Sequence, residues 1–368
     1  MYLFNLFFDA LNNSGISYAI TGRTEEYPEH IHSDIDIIIP SEQFELFWAF
    51  MGNLDKHFLN WIQVISHESS AYYCIVCLSD GTKNELIKPD VCSNYYRKES
   101  LFLKADYLLS GKLFNNKGFY QLAPDKEFIY YLLKKIDKEN INDEQFEHLK
   151  NQWIQNSQGC LAASSSFFSV DNQNIISKSF ENNTIAFLIK NIDVLKKELR
   201  QNIPFNFKDK VLKIHNRITR ILEPTGLIVG IVGSNDALKT IVVDALKTNL
   251  TEAFRQNKRF NFYSTSKPNK NRWFYFISYW FKIFPLKVRS TLIILDFYSN
   301  TFLDLMGKNN YVSQPDLWIF LDDTIQEIQQ KQAFYINSNI NHNQVIYDVE
   351  QVIIDYLQKR TISRYRIQ

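Results

Sequence analysis

The chain has 368 residues, 45% of them hydrophobic, with 41 lysines and arginines against 40 aspartates and glutamates and a net charge of +1. Such length and apolar content suit about two globular domains, and the balanced charge argues against a general binder of long nucleic acids. Four cysteines make no disulfide framework, which fits a reducing, cytoplasmic compartment.

The opening stretch MYLFNLFFDALNNSG holds Asp9 near its middle and has neither a basic leading region nor a small-residue cleavage site. It reads as an amphipathic helix closed by Gly15 rather than as a secretory signal. In the next stretch, Tyr18 to Pro40, Asp34 and Asp36 alternate with Ile35 and Ile37. On a strand the two carboxylates face one side, with backbones about 6 to 7 Å apart, while the isoleucines anchor the other. Like charges so placed repel, and a hard divalent cation relieves the repulsion. Mg²⁺ in particular is held by one or two carboxylates together with substrate phosphates, which points to phosphoryl or nucleotidyl transfer. Upstream, the apolar run YAIT ends at Gly22, where the missing Cβ lets backbone N–H groups approach an anion.

This arrangement resembles the nucleotidyltransferase superfamily of polymerase β type, whose signature is an apolar residue, Gly, Gly or Ser, and then an Asp-apolar-Asp strand. Gly22, Asp34 and Asp36 match it, and Arg23 stands where the superfamily prefers Gly or Ser. The resemblance implies a third carboxylate on a neighbouring strand, and Asp90 in ELIKPDV fits, because that segment follows the apolar run AYYCIVCL across the turn SDGTKN. It also implies that Asp34, Asp36 and Asp90 hold Mg²⁺, that Gly22 and Arg23 lie against the nucleotide, and that a nucleoside triphosphate is the donor to a small-molecule or glycan acceptor.

Further along, SEQFELFWAFMGNLDKHF predicts a helix with Ser41 as its N-cap. Cys74 and Cys77 fall three apart on a strand and so face opposite sides, which favours buried packing over ligation. From Pro124 a strongly helical segment carries Phe128, Leu132, Leu133 and Ile136 on one stripe. Its Lys134, Lys135 and Lys138 read as a solvated face in preference to a phosphate site. Residues Asn140 to about Asn202 turn richer in Asn, Gln and Ser, and 140–222 predicts a helical connector, with a loop near Ala163 to Asn174 and an amphipathic helix from Lys208 to Leu222.

After the boundary signal EPTG, the segment GLIVGIVGSNDALKTIVVDALKTNL reads as strand, turn and helix. Gly233, Lys239 and Thr240 occupy the first Gly, the Lys and the Thr of a phosphate-binding loop, while Leu238 replaces the second Gly. STLIILDFYSN ends a buried run at Asp296, and QPDLWIFLDD gives a second run. Together these resemble thymidylate-kinase-type proteins, in which Gly233, Lys239, Thr240 and Asp296 would serve the nucleotide. The departures are Phe297 where that family has Arg, Lys331 as the nearest helix cation, and Val232 in place of an acidic residue. A fold survives such losses more readily than phosphoryl transfer does, which implies a retained kinase fold with impaired chemistry.

The expected architecture is therefore α/β, with a small mixed-sheet nucleotidyltransferase-like domain over 1–139, a helical connector over 140–222 and a parallel-sheet, P-loop kinase-like domain over 223–368. That order also resembles bacterial surface-polysaccharide synthesis proteins. The competing readings are an active P-loop kinase and a non-catalytic nucleotide-binding assembly protein. Last, RWFYFISYWFKIFPLKVR packs aromatic residues between Arg272 and Arg289. It is too short to span a bilayer, and it reads as a helix buried against the sheet or as a peripheral contact with the inner membrane or a protein.

Overall fold

The computed structural model describes all residues except 1, 32–33, 69–70, 98–99, 204–206, 263–278, 298–314, 322–331, 339 and 366–368. In chain order the elements begin with helix α1 (Tyr2–Asn12), strands β1 (Ala19–Ile20) and β2 (Ile35–Ile38), and helix α2 (Phe44–Gly52). Strands β3 (Asn60–Glu68), β4 (Ala71–Ser79), β5 (Asn84–Ile87), β6 (Pro89–Cys92), β7 (Tyr95–Arg97) and β8 (Ser100–Leu103) follow. Next come α3 (Ala105–Leu109), β9 (Leu113–Phe114), β10 (Tyr120–Gln121), α4 (Pro124–Lys138), α5 (Asp143–Gln155), α6 (Ser157–Ser164), α7 (Val170–Glu181), α8 (Ile185–Lys190), α9 (Ile192–Asn202) and α10 (Phe207–Leu222). The last part holds β11 (Leu227–Val232), α11 (Asp236–Asn249), β12 (Gln256–Phe262), β13 (Thr291–Phe297), β14 (Leu317–Phe320), β15 (Ala333–Tyr335) and a C-terminal helix, His342–Arg364. The fold is α/β, with a mixed sheet and a separate all-parallel sheet.

The chain forms two compact units, and neither is continuous in sequence. The first comprises Met1–Asn53, Ser66–Tyr73 and Pro89–Asn216; the second comprises Leu54–Ile65, Cys74–Lys88 and Arg217–Gln368. In the first unit β2 runs parallel to β6 and antiparallel to β1, and β1 runs parallel to β10. Ile35, Ile37 and Ile38 are buried while Asp36 stays half-exposed, the alternation expected of a strand with one packed face. Helix α4 has Pro124 at its first turn with Asp125 and Glu127 beside it, and Lys135 and Lys138 in its last turn. Charges in that order complement the helix dipole. Its Phe128, Leu132, Leu133 and Ile136 join a core with residues of α5, α6, α7 and α9.

Two local expectations are corrected. Ser41 caps no helix: it opens a short 3₁₀ turn, Ser41–Gln43, whose N-cap is Pro40. The segment from Ala163 to Asn174 is mostly helical, ending α6 and starting α7, with only residues 165–169 between them. Asn156 accepts from the Gly159 amide at 3.0 Å and so starts α6, while buried Cys160, Phe168 and Ile176 tie the pair to the core.

In the second unit the parallel sheet is ordered β12-β13-β11-β14-β15. Residues of β11, β13 and β14 are buried throughout, as a parallel sheet covered on both faces requires. The first part of this unit, from β3 to β5, is joined to its last part by side chains of the C-terminal helix. Arg360 donates to Gln63 Oε1 at 2.5 Å, Thr361 to the Ile62 carbonyl at 2.9 Å, and Gln351 to Asn84 Oδ1 at 2.6 Å.

Candidate active site

Strand register does the first work. Asp36 on β2 lies directly opposite Asp90 on β6, and Asp34 sits just before β2 begins. One carboxylate oxygen from each of Asp34, Asp36 and Asp90 lies within 4.8 Å of the others, and all three side chains are half-buried. Three hard oxygen donors converging this closely fit a divalent cation of the Mg²⁺ kind better than they fit one another.

The carboxylates open into a cleft of about 750 Å³ within the first unit, lined also by Gly22, Arg23, Tyr27, Tyr73, Tyr95, Tyr130, Tyr131 and a row of lysines. Lys134, Lys135 and Lys138 all reach it from α4, although their spacing alone read as a solvated face. Lys134 Nζ donates to Asp36 Oδ2 at 2.7 Å. Burial opposes charge on Lys134, but the Asp36 carboxylate outweighs it and holds the ammonium well above its usual pKa. Lys135 differs. Burial first, then the charges of Lys134, Lys138 and Arg23, press its pKa down to about 8. Cations packed closely enough to depress Lys135 form a wall that an anion would relieve.

Tyr27 and Tyr131 keep their protons. Burial, with Asp36 and Asp34 behind it, pushes the Tyr27 phenol up to about 12, and burial does the same to Tyr131. The tyrosines thus offer neutral ring faces and hydroxyl donors at neutral pH.

Gly22 turns the chain at the mouth of the cleft with φ +86°, a conformation that a side chain strains against. Its N–H donates to Glu127 Oε1 at 3.0 Å, so this amide is committed to a carboxylate of the protein. The same oxygen meets His148 Nε2 at 2.9 Å, and His148 Nδ1 meets Glu25 Oε1 at 2.9 Å. Burial works against charging His148, but Glu127 and Glu25 outweigh it and raise the pKa from 6.5 to about 9. Neighbouring Arg23 pairs with Glu144 of α5 at 2.5 Å and lines the cleft. Neither His148 nor Glu127 carries a sequence signal: each is one polar residue on an apolar helix face, and only the tertiary pairing gives it a role.

The second unit brings Gly233, Lys239 and Asp296 together in a different manner. Lys239 is 1% exposed. Its Nζ donates to the Phe297 carbonyl at 3.2 Å and lies 3.1 Å from Asp236 and 3.2 Å from Asp296. The last contact is coulombic, since it lacks the alignment of a hydrogen bond. Asp296 also takes a 2.6 Å bond from Arg259. At the start of α11 the Leu238 amide donates to Asn235 Oδ1 at 3.1 Å, while Thr240 is exposed. Lys239 is therefore held between two carboxylates and a carbonyl, and the Leu238 amide is taken by Asn235. Lys331 and residues 272–278 of the aromatic run lie outside the described residues; of the rest of that run, Phe281 is exposed.

No known protein family and no curated protein matches the chain. Among solved structures it is similar to the antibiotic-resistance factor ANT(2'')-Ia at 12% identity and a TM-score of 0.31, over 50% of this chain and 96% of that one. A likeness this distant carries no argument. Among the described residues no helix is long and apolar enough to cross a membrane.

Proposed function

We propose that the first unit transfers a nucleotidyl group from a nucleoside triphosphate to a hydroxyl of a small-molecule or glycan acceptor. The supporting observation is one cleft with two walls: three converging carboxylates on the sheet, and Lys134, Lys135, Lys138 and Arg23 opposite or beside them. Asp34, Asp36 and Asp90 would hold Mg²⁺, which when bound neutralises charge on the triphosphate. Lys135 and Lys138 bind the β- and γ-phosphates. Lys134 leaves Asp36 and joins them as the triphosphate enters. The tyrosine faces stack the base or the acceptor ring. The acceptor oxygen bonds to the α-phosphorus, the bond from that phosphorus to the bridging oxygen breaks, pyrophosphate leaves, and Asp90 takes the hydroxyl proton.

In this reading Gly22 and Arg23 shape the mouth of the site. The resemblance to surface-polysaccharide synthesis proteins points to a sugar-containing acceptor handled in the cytoplasm, near the inner membrane. We assign the parallel-sheet unit a structural or binding role in preference to phosphoryl transfer, because Lys239 is buried against Asp296 and the Leu238 amide is taken by Asn235. The test is incubation of the whole chain with each nucleoside triphosphate, labelled at the α- or γ-phosphate, with Mg²⁺ and cell extract. Label from the α-position should pass to an acceptor, and Asp36→Asn should abolish the transfer while the fold survives. Transfer at the wild-type rate by that variant, or γ-label transfer alone, would refute the assignment.

A further inference from the structure

Helix α10 presents a face that its own packing does not use. Val211, Ile214, Ile218, Ile221 and Leu222 recur at helical spacing on a strip about 100° wide, and they are between 44% and 75% exposed. Within its 16 residues the helix carries Lys208, Lys210, Lys213, Arg217 and Arg220 against the single acid Asp209. Arg217 is exposed and Arg220 half-exposed, and exposed Arg255 stands near enough to act on Arg220. Burial, then the charges of Arg255 and Arg217, lowers the Arg220 pKa. By helical position Lys210 and Arg217 flank the strip on one side and Lys208 on the other, while Arg220, with Arg255 near it, lies on the far face. A cationic helix with an exposed apolar strip calls for an anionic, partly apolar partner.

We propose that α10 is an interfacial helix that lies on an anionic lipid surface, its isoleucine strip among the acyl chains and its flanking cations at the lipid phosphates. At about 24 Å it is too short to span the bilayer, and its mixture of cations and branched apolar residues suits the plane of the interface. A protein groove would take the apolar strip equally well; the charge excess selects the lipid phosphates. The helix is distinct in sequence from the aromatic run, and the proposal does not depend on the transfer reaction.

The experiment is co-sedimentation of the full chain with phosphatidylcholine vesicles, with and without phosphatidylglycerol. The wild type should bind only the anionic vesicles, and more weakly as salt rises. Ile214→Ser with Ile218→Ser should lower the partition coefficient about tenfold or more. Arg217→Gln should lower it about fivefold, from roughly 1 kcal/mol for a charge near the surface. These side chains face solvent, so circular dichroism should stay unchanged. Three results would each overturn the proposal: equal binding to neutral vesicles, helix variants that bind like wild type while Trp273→Ser with Trp280→Ser does not, or self-association abolished by the isoleucine changes without vesicle binding.

Discussion

His148 shows how one buried residue sets the posture of the candidate site. It holds Glu127, and Glu127 holds the Gly22 amide, so the turn at the cleft mouth is fixed through a charge that the imidazole supplies. Its folded pKa of about 9 lies above the unfolded value of 6.5. The associated stability is therefore fully present below pH 6.5 and is lost as pH rises through 9. His148→Gln should lower the melting temperature most at pH 6.5, and the gap to wild type should close by pH 9. A gap that is constant over that range would mean His148 contributes packing alone. Asp34 and Asp36 were legible in the sequence from their alternation with isoleucines, and Asp90 from the third carboxylate that the superfamily resemblance implies. Lys134, Lys135 and Lys138 were not. A helical pattern shows which residues share a face, but whether that face meets water or a cleft depends on the element packed across from it.

The same distinction holds for elements. Apolar runs announced β11, β13 and β14, because strands buried on both faces have no other composition. The short helices between 140 and 202 were blurred by their Asn and Ser content, which disfavours helix locally, and tertiary burial overrides it. For α11 and β13 the sequence offered Lys239 and Asp296 as nucleotide ligands, and the fold sets them against each other in a buried network. Lys239→Met removes one of the two cations flanking Asp296 and should cost about 3 to 5 kcal/mol, the range for breaking a buried ion pair. Calorimetric titration of the whole chain with ATP and Mg²⁺ should give one site, in the first unit. Chemical denaturation would report the stability loss. A second site that vanishes in Lys239→Met would restore the kinase reading.

At the scale of the molecule, the sequence invites contiguous parts cut after residues 139 and 222, the second cut where Pro224 and Gly226 punctuate the chain. Packing divides it otherwise, for residues 54–65 and 74–88 belong with the C-terminal half. No local pattern could reveal this, since an apolar strand reads the same whichever partner covers it. Trp61, Ile62, Val64, Ile65, Ile75 and Val76 are buried. Around them Gln63 bonds to the Ala253 carbonyl and to Arg360, and Ser79 bonds to Tyr347 at 2.7 Å. A fragment ending at residue 222 keeps these strands and loses every one of those partners. Full burial of one such side chain stabilises by about 1.5 to 3 kcal/mol, against a net stability of about 5 to 15 kcal/mol for a domain. Losing the cover of a few is enough to leave sticky strand surface and unpaired polar groups. The fragment should therefore bind a hydrophobic dye and sediment as aggregate, even though it carries every residue of the candidate cleft. A soluble monomer with a cooperative melt would show instead that the first unit folds without the second, and that residues 54–65 and 74–88 are passengers in it.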